Sequence, residues 1–160
     1  MTRPLLLSFL LLSFAGWASA EERLRVFVHV DPRIEDLDPK MRRELIDSMS
    51  DLREQILKRR DIAIAKDRSE ADILVTLVDR RIEVNRSGAT QYFGYTQTHY
   101  QSRYVLGFRL SAGSLDFESE TALAGAFVTW KRVAGVLAKD IEQWARDHRD
   151  EMLGEPAPLR

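Results

Sequence analysis

The sequence predicts an α+β two-layer sandwich, in which about five mostly antiparallel strands carry two helices on one face. Three observations predict it. Residues 71–84 hold the most strand-like run of the chain, in which Ile73, Val75 and Leu77 alternate with Leu74, Thr76 and Val78 behind Ala71-Asp72. Two stretches, one starting near Met41 and one at Trp130, repeat apolar residues every three or four positions and need a surface to cover. Residues 100–110 alternate almost without interruption and supply the partner strand. A lipocalin-like barrel is a poor alternative, because it leaves the two helical stripes nothing to pack on.

The amino terminus sets the compartment. Arg3, the apolar run 5–14 and the small-residue segment Ala15-Gly16-Trp17-Ala18-Ser19-Ala20 form the three regions of a secretory signal peptide, with cleavage after Ala20. A bilayer-spanning helix needs roughly 20 apolar residues, and this run is shorter, so residues 1–20 are read as removed and no transmembrane anchor remains. Acylation at the cleavage point requires a cysteine, and the chain has none. The expected location is extracytoplasmic, either periplasmic or secreted.

Residues 21–153 then read as one α+β domain, followed by a disordered tail at 154–160 that contains Glu155-Pro156-Ala157-Pro158. A chain of this length buries about two-thirds of its unfolded surface and needs no covalent staple. The absence of cysteine excludes a disulfide framework, a thiolate metal site and a cysteine nucleophile. Loss of Arg3 leaves 23 basic against 25 acidic residues, a net charge near −2. That balance argues against nucleic acid as a partner, which would call for a basic excess on one face.

Along the mature chain, Leu24, Val26, Val28 and Val30 alternate with Arg25, Phe27 and His29 in a first strand that ends at Asp31-Pro32. A polar connection over 33–37 leads to Asp38-Pro39, an N-cap followed by proline at the first helical position. Met41, Leu45, Met49, Leu52 and Ile56 form one buried stripe, and Lys58-Arg59-Arg60 complements the helix dipole at its end. Residues 62–65 form a short strand, and a charged loop over 66–70 delivers the chain to Ala71-Asp72. There, alanine permits a tight entry and the Asp72 carboxylate can accept a nearby backbone amide.

The succession of helix, basic turn, short strand, charged loop and Ala71-Asp72-Ile73-Leu74-Val75 resembles small extracytoplasmic α/β domains of bacteria. Examples are the amino-terminal domain of the Tol-Pal propeller protein and domains related to curli-secretion lipoproteins. The resemblance covers about residues 41–78 and implies a periplasmic accessory or binding module, with no catalytic residues to carry over. No propeller repeats follow, and no cysteine is available for acylation.

Beyond the central run, Ile82 and Val84 continue in phase with Leu74 and Val78. The strand at 100–110 turns through Gly113 into Leu115-Asp116-Phe117-Glu118-Ser119-Glu120, which carries acid on its outward face. Thr129 caps a second helix, whose stripe runs through Trp130, Val133, Ala134, Leu137, Ile141, Trp144, Ala145 and His148. Two tryptophans on one stripe are expected to dominate the core.

Motifs that carry chemistry are few. The three histidines, His29, His99 and His148, share no ligand spacing, so no metal is assigned. No nucleophile elbow and no phosphate-cradling glycine loop are present, so no cofactor and no catalytic residue are assigned. What remains is the connection 85–101. All four tyrosines cluster in or beside it, at positions 92, 95, 100 and 104, together with Phe93, His99 and three glutamines. Between Ser87 and Ser102 there is no Asp, Glu, Lys or Arg.

Three readings of this stretch follow. It extends the flanking strands into a long hairpin whose aromatics pair across strands or fold back on the domain. It forms a binding surface through Tyr92, Phe93, Tyr95, His99 and Tyr100. Or it inserts neutral aromatics into a membrane interface or polysaccharide. The function expected is a non-enzymatic binding or accessory module whose partner is a protein or cell-envelope component. A small extracytoplasmic enzyme using a carboxylate or His99 near the same hairpin is the alternative.

Overall fold

The structure, a computed structural model, describes residues 23–36 and 38–153; the expected signal peptide and the expected tail at 154–160 lie outside the described residues. Strand β1 (Leu24–Val30) leads through a 3-10 turn at Pro32–Asp36 to helix α1 (Pro39–Ile56) and strand β2 (Ile62–Ile64). Strands β3 (Ile73–Tyr92), β4 (Tyr95–Ala112) and β5 (Leu115–Ala124) follow, then helices α2 (Trp130–Asp147) and α3 (Arg149–Leu153). They build one open five-stranded sheet in the order β2-β1-β3-β4-β5. Strand β1 runs parallel to β2 and β3, whereas β3, β4 and β5 form an antiparallel meander. The fold is α+β, as the alternation and the two stripes predict.

Local chemistry places each element. Asp38 accepts a hydrogen bond from the Lys40 amide at 2.8 Å and Pro39 opens α1, while the Thr129 hydroxyl accepts from the Arg132 amide at 3.4 Å to open α2. Each cap satisfies an amide that the first helical turn leaves without a partner. The Asp72 carboxylate accepts from the Arg25 amide at 2.6 Å, and the Asp72 amide donates to the Arg25 carbonyl at 2.8 Å. This two-way clasp fixes the entry of β3 onto β1.

Both helices cover one face of the sheet. Leu45, Leu52 and Ile56 of α1 and Val133, Leu137 and Ile141 of α2 are fully buried in one cluster with Val26, Ile73, Val75, Leu77 and Leu106. Each such side chain contributes about 1.5–3 kcal/mol of transfer free energy. The basic turn after α1 has a second task, because Arg59 donates to the Gly135 carbonyl at 2.7 Å and the Arg60 amide to Glu142 at 3.0 Å, tying α1 to α2.

Three expectations are corrected. The tryptophans do not dominate the core: both are half-buried at its margin, and the fully buried side chains are aliphatic. Trp130 stands in the first turn of α2, edge-on to Tyr104 at 5.1 Å, and Trp144 flanks the stripe and stacks on His148 at 4.8 Å. The connection 33–37 is not wholly polar, since its 3-10 turn buries Ile34. Finally, a bulge between Leu77 and Asp79 shifts the register of β3. Side chains alternate with period two, so the extra residue moves Arg80, Ile82 and Val84 onto the face of Leu77 rather than that of Leu74.

Candidate interaction surface

The sheet narrows along its length. Strand β1 stops pairing with β3 at Val30↔Leu77, and β5 stops pairing with β4 at Arg103↔Ala124. Beyond those points β3 and β4 pair only with each other, as a two-stranded ribbon that continues to Tyr92↔Tyr95. The stretch 85–101 is therefore a long hairpin with one cross-strand tyrosine pair. Its aromatics do not fold back on the domain: Tyr92 is 61% exposed, Tyr95 81% and Tyr100 68%.

The tip is a two-residue loop in which Phe93 and Gly94 both have positive φ, 40° and 84°, as a type I′ turn requires. Such a turn favours Asn-Gly or Gly-Gly, because a Cβ in the left-handed region crowds the following carbonyl at about 1–2 kcal/mol. Phenylalanine thus occupies a strained position, and its side chain is fully exposed.

A second register shift, between Arg86 and Gly88, puts Gly88, Thr90 and Tyr92 on the face opposite that of Arg86. Tyr92, Tyr95 and His99 fall on one side, where the Thr90 hydroxyl and His99 Nε2 lie 2.8 Å apart. Tyr100 faces Arg86 across the strands, on the other side. The structure brings the five expected residues onto one ribbon without gathering them into a pocket.

Sequence reasoning missed the ribbon's root. An open groove of about 460 Å³ lies where β5 ends, lined by Tyr100, Ser102, Tyr104, Gly125 and Ala126. On the same side Ile82 and Val84 are 51% and 63% exposed, and Phe127 nearby is 87% exposed. The alternation at 82 and 84 signalled a strand, but not that the sheet outruns its helices there.

The opposite face of the sheet is ionic. Arg81 pairs with Asp79, Glu83 and Glu120, Arg103 pairs with Glu83 and Glu120, and Arg109 pairs with Glu118 at 2.7 Å. The hydrogen bonds Arg81 donates to these carboxylates hold its guanidinium's pKa above its ordinary value, those to Glu120 and Asp79 most strongly. Of the acids of β5, Glu118 and Glu120 are thereby engaged by arginines and Asp116 accepts from the Ser111 hydroxyl at 2.8 Å, instead of converging on His99. The other histidines stand elsewhere. His29 lies 2.9 Å from the Thr76 hydroxyl, with its pKa lowered chiefly by burial, and His148 closes α2. Among the described residues no group of three or more His, Asp and Glu could hold a metal ion, and no helix is long and apolar enough to cross a membrane.

No protein-family model matches the chain, and no curated protein sequence matches it. Among solved structures it is similar to a minor lipoprotein from Acinetobacter baumannii, at 11% identity and a TM-score of 0.40, over 78% of this chain and 94% of that one. It is also similar to the uncharacterized lipoprotein B from Nitrosomonas europaea, at 11% identity and a TM-score of 0.47, over 87% and 92% of the two chains. The rare lipoprotein B from Shewanella oneidensis shows 13% identity and a TM-score of 0.38, over 81% and 93%. These likenesses do not show the resemblance of residues 41–78 to the Tol-Pal or curli domains, and at these scores they carry no functional inference.

Proposed function

We propose that residues 21–153 form an exported, non-enzymatic binding module, periplasmic or secreted, that engages a protein or cell-envelope component through the tip of the β3–β4 ribbon. Tyr92, Phe93, Tyr95, His99 and Tyr100 supply the contacts. The observation that carries this reading is Phe93, an aromatic held at φ 40° and fully exposed. Nothing in the fold calls for phenylalanine there, since asparagine or glycine would close the same turn with less strain. A strained, solvent-facing aromatic is explained by what it touches outside the chain. The uncharged composition of the tip supports the same reading, because a ribbon with free edges and no charged guard residues is a template for association.

The test is a photocrosslinking amino acid placed at position 93 in the exported protein, compared with the same group at Ser114 in the β4–β5 turn. A discrete adduct from position 93 and none from 114 is the expected result. Identical patterns from the two positions would remove the tip as the contact.

A further inference from the structure

We infer that the ribbon's partner is a second copy of this chain, paired antiparallel along residues 95–101 of β4, with the tip of each copy seated in the root groove of the other. The inference rests on the ribbon being an interaction surface and names what it binds. Three features of the structure converge on it.

The first is the lane that β5 vacates. Strand β5 pairs with β4 as far as Arg103↔Ala124, and Gly125, with φ 143°, takes the chain out of the sheet. The Gly125 N–H still donates to the Ser102 carbonyl at 3.2 Å, and residues 95–101 of β4 are left with an open edge. In a two-residue hairpin the flanking pair, here Tyr92 and Tyr95, exchanges hydrogen bonds, and the pairs then alternate. Thr96 and Thr98 therefore turn their N–H and C=O groups outward, toward the empty lane. A strand laid there antiparallel to β4 would run in the direction of β5 and begin where β5 stops.

The second is charge. The open edge of β3 passes Asp79, Arg81, Glu83 and Arg86, whereas residues 95–102 carry no charge. A two-fold axis at Thr98 opposes that residue to its own copy, Gln97 to His99, Thr96 to Tyr100 and Tyr95 to Gln101. No like charges meet, and polar and aromatic cross-strand pairs of this kind are favourable. A strand can pair with itself only when its composition allows such a match.

The third is reach. In that register Tyr95 of one copy stands opposite Gln101 of the other, so the Phe93-Gly94 turn arrives at Gly125, whose N–H holds the Ser102 carbonyl and closes the open lane. The groove at that point holds about 460 Å³ and is lined by Tyr100, Ser102 and Tyr104. The arrangement seats the strained Phe93 against the tyrosines of a groove that is otherwise open to water.

Because the chain has no cysteine, a single Thr98→Cys variant reports the symmetric contact directly. Antiparallel hydrogen-bonded neighbours have Cα atoms about 5.5 Å apart, within disulfide range. Mild oxidation of the full exported chain should give a disulfide-linked dimer from Thr98→Cys and none from Ser114→Cys at the other end of β4. By sedimentation equilibrium the wild type should be a dimer, and Thr98→Pro, which removes the outward N–H at the axis, a monomer. Should Thr98→Pro fail to keep the wild-type circular dichroism, Thr98→Lys opposes two cations at the axis and should weaken dimerisation about fivefold. A wild type monomeric at the highest soluble concentration, or equal crosslinking by the two cysteine variants, overturns the inference. If the wild type is monomeric while position 93 photocrosslinks to a different envelope protein, the binding module stands and the second copy falls.

Discussion

Substituting Gly107 by alanine tests the bulge that sets the phase of the outer half of β3. Gly107 lies opposite Asp79, where β3 carries its extra residue. A Cβ at position 107 would stand 3.1 Å from the Asp79 Cβ and 3.2 Å from Val78 Cγ2. Carbon atoms prefer about 3.5–4.0 Å, and neither neighbour can swing aside: one is fixed to the backbone and the other is β-branched. The strands must separate, at about 1–3 kcal/mol, as overpacking generally demands. For a domain of this size that lowers the melting temperature by roughly 4–12 °C. Gly88 provides the matched control in the same hairpin, because a Cβ there meets nothing within 4 Å. Gly88→Ala should leave stability unchanged or raise it by about 0.5–1 kcal/mol. Urea unfolding of both variants decides the matter, with unchanged m-values required for the comparison. A Gly107→Ala protein as stable as the wild type, or equal losses in both variants, would refute the close approach at the bulge.

Phe93→Asn should relieve the left-handed strain at the tip and slow amide exchange over residues 88–99 by about fivefold, read by hydrogen exchange of the two proteins. Arg80 donates to the Glu44 carbonyl and to Ser48 Oγ at 3.1 Å, its guanidinium sits 4.2 Å from the Trp130 ring centroid, and its buried Nε has no partner. Arg80→Ala should therefore cost about 2–4 kcal/mol in a denaturant titration, whereas Arg80→Met, which keeps the volume and removes the desolvation penalty, should stay within about 1.5 kcal/mol of wild type. Asp31 is held down to about 2, from an ordinary 3.8, by its hydrogen bonds with Arg33. A depressed carboxyl stabilises the fold above its unfolded pKa and loses that contribution as pH falls through the folded value. Melting temperatures should thus show wild type ahead of Asp31→Asn above about pH 4, by on the order of 1 kcal/mol given the exposed Arg33, and level with it near pH 2.

Much of this fold is legible in the residues because its signals are local. Asp38-Pro39 and Thr129 announce helix starts through the hydrogen bonds they make with the next amides. The Asp72 carboxylate needs only a neighbouring backbone amide, and that amide proves to be Arg25. The three features that escaped depend on partners distant in sequence. The phase of Ile82 and Val84 is reset by a bulge that Gly107, on another strand, accommodates. The place of Trp130 and Trp144 at the core's margin follows from where the sheet ends beneath α2, not from their spacing. The turn at Phe93-Gly94 hid because phenylalanine is a poor residue for positive φ, so the aromatic composition stood out while its geometry did not. In the candidate site, the sequence marks which residues lack charge. Only the pairing register shows that Tyr92 and Tyr95 share a face and Tyr100 takes the other.

The measurement that tests the ribbon as an interaction surface most directly is the triple replacement of Tyr92, Phe93 and Tyr95 by serine, followed for stability and for association at once. The three side chains are exposed, so the melting curve should move by no more than about 0.5 kcal/mol in free energy. Self-association and recovery of envelope partners on the immobilised protein should both be lost. A melting temperature lowered as if by several kcal/mol would mean that the aromatics pack on their own domain, and unchanged stability with unchanged association would contradict the surface as well.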